Sequence, residues 1–157
     1  MTPEESTLLR RLLLEQPVAA LATLHKGEPA VSMVPFAWWP MRNSVLIHVS
    51  ELATHTQDMQ RHAQVSLLVT AALNEADTPL ALPRASIVGH AQALTPDDAH
   101  HAAAREVYLA KLPDAEPLFE FGDFYLFEIV PAHLRWVAGF GRAMAVRADA
   151  LNALMQA

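Results

Sequence analysis

Leu8, Leu9, Leu12 and Leu13 form one apolar stripe at helical spacing, with Arg10 and Arg11 beside it, which predicts an amphipathic helix. Ahead of it, Thr2-Pro3-Glu4-Glu5 offers a capping hydroxyl, a proline where no N–H is required and an acid that can reach back to the cap. Pro17 closes the helix. The pattern then changes to short apolar runs. Val18 to Leu24 and Ala30 to Phe36 flank His25-Lys26-Gly27-Glu28, whose glycine can take positive φ, and together they predict a β-hairpin. Trp38 to Asn43 reads as a turn carrying large apolar side chains, and Val45 to Val49 as a strand rich in β-branched residues. Ser50 to His62 predicts a loop and a short helix, with Thr54 and Gln57 spaced as a capping box. Val65 to Thr70 is a further strand, and Ala71 to Pro83, with its Asn, Asp and prolines, a surface loop. Arg84 to Leu94 predicts a long strand that Gly89 interrupts with a bulge or a close backbone approach. Thr95-Pro96-Asp97-Asp98 repeats the helix-start chemistry, for a helix running to Lys111 before Pro113. Phe124 to Val130 and Leu134 to Val137 read as two strands, Gly139-Phe140-Gly141-Arg142 as a corner into Ala143 to Val146, and the residues after Asp149 as a terminal helix. Successive strands joined by turns favour an antiparallel sheet, long enough here to curl into a barrel.

Composition narrows the function classes. The 157 residues suit one domain spanning 1–157, and 52% hydrophobic against 18% charged residues is the balance of a packed core. Eleven Lys and Arg against 17 Asp and Glu leave a net charge of −6 with no basic cluster, which argues against a nucleic-acid partner. The absence of cysteine excludes disulfides, thiolate nucleophiles and Cys-based metal sites. No signal-peptide pattern opens the chain and no apolar run approaches a bilayer span, so a cytoplasmic protein without a membrane partner is the expectation.

Chemistry concentrates in a few places. From Val49 and Ser50 through Leu52 to Thr54, His55 and Thr56, a strand runs into a helix start, where hydroxyls, an imidazole and orphan N–H groups would meet an anion such as phosphate. The structural alternative is that Thr54 simply caps the helix. Gly139-x-Gly141-Arg142 could admit a planar ligand and pair its anion, or be a tight turn with a surface arginine. Arg84, after Pro83 at the start of a long strand, either meets a ligand or pairs with an acid. The eight histidines include no His-Glu-x-x-His, and no serine sits in Gly-x-Ser-x-Gly, so neither a metal site nor a serine hydrolase is expected. The catalytic residues stay unassigned.

Several blocks resemble one known family: Leu21-Ala22-Thr23-Leu24, Gly27-Glu28-Pro29, Ser32-Met33-Val34-Pro35-Phe36, Ser50 to Thr56, Val65-Ser66-Leu67-Leu68, Arg84 to Gly89 and Gly139 to Ala143. In this order, over about Pro17 to Ala143, they are similar to the pyridoxamine 5′-phosphate oxidase-like FMN-binding split barrels, and most of all to the haem-iron-utilisation branch. The resemblance implies a six-stranded antiparallel split β-barrel with flanking helices, forming a homodimer with FMN in grooves at the subunit interface. It places Ser32, Met33, Val34 and Pro35 along the flavin ring and Val49, Ser50, Leu52, Thr54, His55 and Thr56 around the phosphate. Arg84 would stand near the cofactor, and Trp136 and Arg142 would supply an aromatic and a basic group to the flavin edge. The implied activity is that of an FMN-dependent oxidoreductase acting on a small-molecule substrate or electron donor. True pyridoxamine phosphate oxidases carry basic side chains where this chain has Ser32, Ala37, Thr54 and His55, and a basic C-terminal segment where this one has Leu151 to Ala157. Vitamin B6 oxidation is therefore not expected. A haem-binding or haem-degrading protein, with haem in place of FMN, and a catalytically silent dimer are the alternatives.

Overall fold

The computed structural model describes residues 1–74 and 78–156; part of the loop expected over 71–83, and the final residue of the C-terminal segment, lie outside the described residues. Four α-helices are described: α1 (Pro3–Glu15), α2 (Thr54–Arg61), α3 (His101–Lys111) and α4 (Ala148–Gln156). Eight strands accompany them: β1 (Val18–His25), β2 (Glu28–Pro35), β3 (Ala37–Trp39), β4 (Ser44–Ser50), β5 (Gln64–Thr70), β6 (Arg84–Leu94), β7 (Phe124–Val137) and β8 (Ala143–Arg147). The expected cap of α1 forms: Glu5 N–H donates to Thr2 Oγ1 at 3.2 Å while Thr2 N–H donates to Glu5 Oε2 at 2.7 Å. The hairpin turn also forms, with Lys26 and Gly27 at φ 52° and 83°, the positive values that match strand twist in a two-residue loop.

All strand pairs are antiparallel, in the order β2-β1-β5-β6-β7-β4-β3, with β8 added to β7. β2 and β3 are the two ends of that order, yet only Phe36 separates them in the chain. The sheet must therefore curl until its ends meet. Counting β2 and β3 as one strand broken at Phe36, the barrel has the six expected staves, and β8 is an addition. The far edge of β7 is shared: residues 124–129 pair with β4 and 133–137 with β8. That handover splits the barrel.

Four expectations are corrected. Trp38 and Trp39 do not lie in a turn; they form β3, and alternation sends Trp38 to the barrel core and Trp39 to a second cluster. Phe124–Val137 is one strand rather than two, bent where Gly89 faces Pro131 and Val88 faces His133, so that Ala132 is an extra residue. Pro131 falls where β7 changes partner, a place where a missing N–H costs little. α3 begins at His101, not Pro96: Asp98 N–H donates to Thr95 O, and Asp98 Oδ1 accepts from His100 N–H, making a turn of the expected cap. Finally, α2 is capped at Ala53 without a side-chain hydrogen bond, so Thr54 and Gln57 do not form a capping box. The expected close approach at Gly89 is present, since a Cβ there would lie 2.5 Å from Val130 O.

The inward residues of the barrel form the main core with Leu9, Leu12 and Leu13 of α1 and Leu151 of α4. α3 packs on the outer side of β3 and β4, with its Ala104 and Tyr108 against Trp39, Leu46, Leu94 and Leu126. Between these layers Glu128 of β7 is buried, and accepts from Arg42 Nε at 2.8 Å, Ser44 Oγ at 2.7 Å and Gln92 Nε2 at 2.8 Å. One carboxylate thus ties β4, β6, β7 and the turn after β3. No helix among the described residues is long and apolar enough to cross a membrane.

Candidate functional site

The residues expected around a ligand fall into two groups. The first surrounds α2. Asp58 is buried there and accepts from Thr23 Oγ1 at 3.0 Å, with His25 Nδ1 2.9 Å from its other oxygen, which fastens α2 to β1. Burial alone would raise the Asp58 pKa, but those hydrogen bonds and the charges of His25 and Arg61 leave it below the ordinary value. The hydroxyls expected to hold a phosphate are engaged within the chain. Thr56 is buried and donates to Ser50 O at 2.6 Å, Ser50 Oγ accepts from Leu52 N–H at 3.2 Å, and Ser32 Oγ meets His55 Nδ1 at 3.1 Å. Burial pushes the His55 imidazole toward its neutral form, opposed by the charge of Asp58. What remains open is Thr54, which is exposed, the unprotected side chain of Leu52, and the N–H groups that any helix leaves free in its first turn.

Alternation divides the β2 segment. Val34 and also Val49 of β4 point into the core, while Met33 is 66% exposed on the outer face and Pro35 is exposed at the strand end. Trp136 is fully buried in the barrel core and presents no edge to the outer surface.

The second group converges on the outer face at the start of β6. A cavity of about 520 Å³ brings together Arg84, Arg135 and Arg142, with Ser86, and is walled by Leu68, Leu80, Val137 and Phe140. Arg84 is held by its Nη1, which donates to Leu82 O at 3.0 Å. Arg142 pairs with the buried Glu5 of α1 and remains partly exposed. Arg135, paired across the sheet with Ser86, is the residue that sequence reasoning missed. The signal was its position between inward Leu134 and Trp136, which forces it outward; what lay beside it depends on a pairing made 49 residues away in the chain (135 − 86 = 49). The same face continues through His133, one outward position before Arg135, and through exposed Val18, Val31, Met33 and Leu68. Three guanidinium groups beside an apolar floor suit a planar ligand with anionic substituents.

A family profile described as "CREG, beta-barrel" matches residues 3–152. The chain belongs to this family. The antiparallel split barrel that the ordered blocks implied is the fold observed, and a solved structure described as a putative pyridoxamine 5′-phosphate oxidase from Listeria innocua shares that fold at 16% identity. The chloroplastic heme oxygenase HOZ of Arabidopsis thaliana is 35% identical over 119 residues, 76% of this chain and 35% of that protein. A solved heme binding protein of Mycobacterium smegmatis superposes with a TM-score of 0.85 at 27% identity, over 98% of this chain and 62% of that one. The chain therefore spans about a third of the first relative and less than two thirds of the second. HutZ of Vibrio cholerae, described as a heme storage protein, shares the fold with a TM-score of 0.66 at 24% identity, over 82% of this chain and 89% of that one.

Proposed function

We propose that this CREG-family barrel binds haem on its outer sheet face, with the ligand's carboxylates at Arg84, Arg135 and Arg142. The observation that carries this reading is the arginine-lined cavity opening on an exposed apolar sheet. Haem is a planar apolar ring with two carboxylates on one edge, and the same cavity is lined by cations and by Leu68, Val137 and Phe140. His133, on the same outward row of β7 as Arg135, is an imidazole available to the iron. Bound haem would supply a redox-active iron, and the chain's own part would be to orient it and shield one side of its ring. The names of the Arabidopsis and Mycobacterium relatives support the same direction. We also propose that a second copy of the chain covers the remaining outer face, where Val31 and Met33 stand exposed.

FMN is the second reading. It is favoured by exposed Thr54 at the start of α2, whose first-turn N–H groups could meet a phosphate. It is weakened because Thr56 already donates its hydroxyl to Ser50 O and Ser32 Oγ is engaged with His55, while Ser50 Oγ accepts from Leu52 N–H and keeps its own O–H. An oxidoreductase built on FMN therefore has fewer free donors here than the arginine cavity offers to haem.

Titration of the purified chain with hemin and, separately, with FMN tests the proposal. A Soret band that saturates at one haem per chain, in a species sedimenting as a dimer, with little change in flavin fluorescence, is the expected result. Saturable FMN quenching without a protein-dependent Soret shift would overturn it in favour of the flavin.

A further inference from the structure

His48 and Lys111 are used by neither reading. His48 points outward from β4 into the second core, is 7% exposed and has no hydrogen-bond partner for its Nδ1. Its ring stacks on Phe119 at 3.7 Å between centroids and meets Tyr108 edge-on at 5.9 Å. A buried polar atom left unpaired is costly, so a molecule that supplied the partner would recover part of that cost. Lys111, at the end of α3, donates to Gln16 O at 2.7 Å and lies 4.1 Å over the Phe36 ring, but it has no carboxylate partner among the described residues. Burial lowers its pKa to about 8 and that of His48 to about 4, so near neutral pH the cleft presents a cation and a neutral imidazole, with the exposed Asp114 also on its lining.

Both groups line one cleft of about 320 Å³, with Tyr108, Leu112, Leu118 and Pro35. Its size is at the low end of the roughly 300–1,000 Å³ typical of organic-ligand pockets. We propose that this cleft binds a small aromatic carboxylate bearing a hydroxyl group. The carboxylate meets the Lys111 ammonium, the ring lies against Leu112, Leu118 and Pro35, and the hydroxyl donates to His48 Nδ1. The cleft lies on the α3 side of β4, lined by none of the three arginines, and the proposal is independent of whether the outer face takes haem or FMN.

The test is an amide-resonance titration of the full chain with 4-hydroxybenzoate, 4-hydroxybenzamide and benzoate. The hydroxy acid should shift His48, Tyr108, Lys111 and Leu118, and bind at least roughly tenfold more tightly than its uncharged amide, from loss of one charge-assisted contact. Benzoate should bind more weakly than the hydroxy acid. Lys111→Met, which keeps an apolar stem on Phe36, should abolish the preference for acid over amide. Equal binding of acid and amide to the unmodified chain, or shifts that spare this cleft at millimolar ligand, would overturn the proposal whether or not the variant folds.

Discussion

Glu128→Ala is expected to destabilise the fold by about 3 kcal/mol, because it removes the common acceptor of Arg42, Ser44 and Gln92 from a site where Ser44 is fully buried. For a chain of this size that is a fall in Tm of roughly 6–12 °C. Glu128→Gln should cost less, since its oxygen can still accept from Ser44. The sign of the pH dependence follows from the same contacts. Burial raises the Glu128 pKa, but the three hydrogen bonds and the charge of Arg42 outweigh it and hold the carboxyl below its ordinary 4.5. Its contribution is therefore present above that ordinary value and disappears as the pH falls through the lowered one. Thermal melts between neutral and acid pH should show the unmodified chain losing stability through that window and the glutamine variant losing less. A Glu128→Ala variant that melts within a degree of the unmodified chain would mean the network does not tie these strands.

Arg84→Gln combined with Arg135→Gln should weaken haem binding by roughly 100- to 1,000-fold, the loss of two charge-assisted contacts to carboxylates. Arg142 is a poorer choice for this experiment because it also holds α1 through Glu5, so its loss would mix folding with binding. Equilibrium titration followed at the Soret band measures the change, with the melting temperature as the folding control. An affinity within threefold of the unmodified chain, at unchanged Tm, would remove these arginines from the ligand site.

The features legible in the chain were those set by neighbouring residues. The cap at Thr2 and Glu5, the turn at Lys26-Gly27 and the interruption at Gly89 each follow from a few consecutive side chains, and each is present. The failures have the opposite origin. Trp38 and Trp39 resemble turn residues until β4 lies beside them, and Thr54 resembles a cap although the cap position falls one residue earlier, at Ala53. The Thr95-Pro96-Asp97-Asp98 stretch satisfies its own donors in a turn and delays α3. At the site, Arg84 and Arg142 were recognisable as single cations, but their meeting with Arg135 depends on the register of β6, β7 and β8, which no local pattern encodes. Trp136, expected at a ligand edge from the resemblance, stays on the inward row because of the bend in β7.

The most direct measurement is a map of amide resonances broadened by paramagnetic hemin bound to the full chain, set against a diamagnetic zinc protoporphyrin control. The account predicts broadening centred on Ser86, His133, Arg135 and Phe140, with Thr54 and His55 unaffected. Broadening centred on the first turn of α2, or spread evenly over the surface, would contradict it.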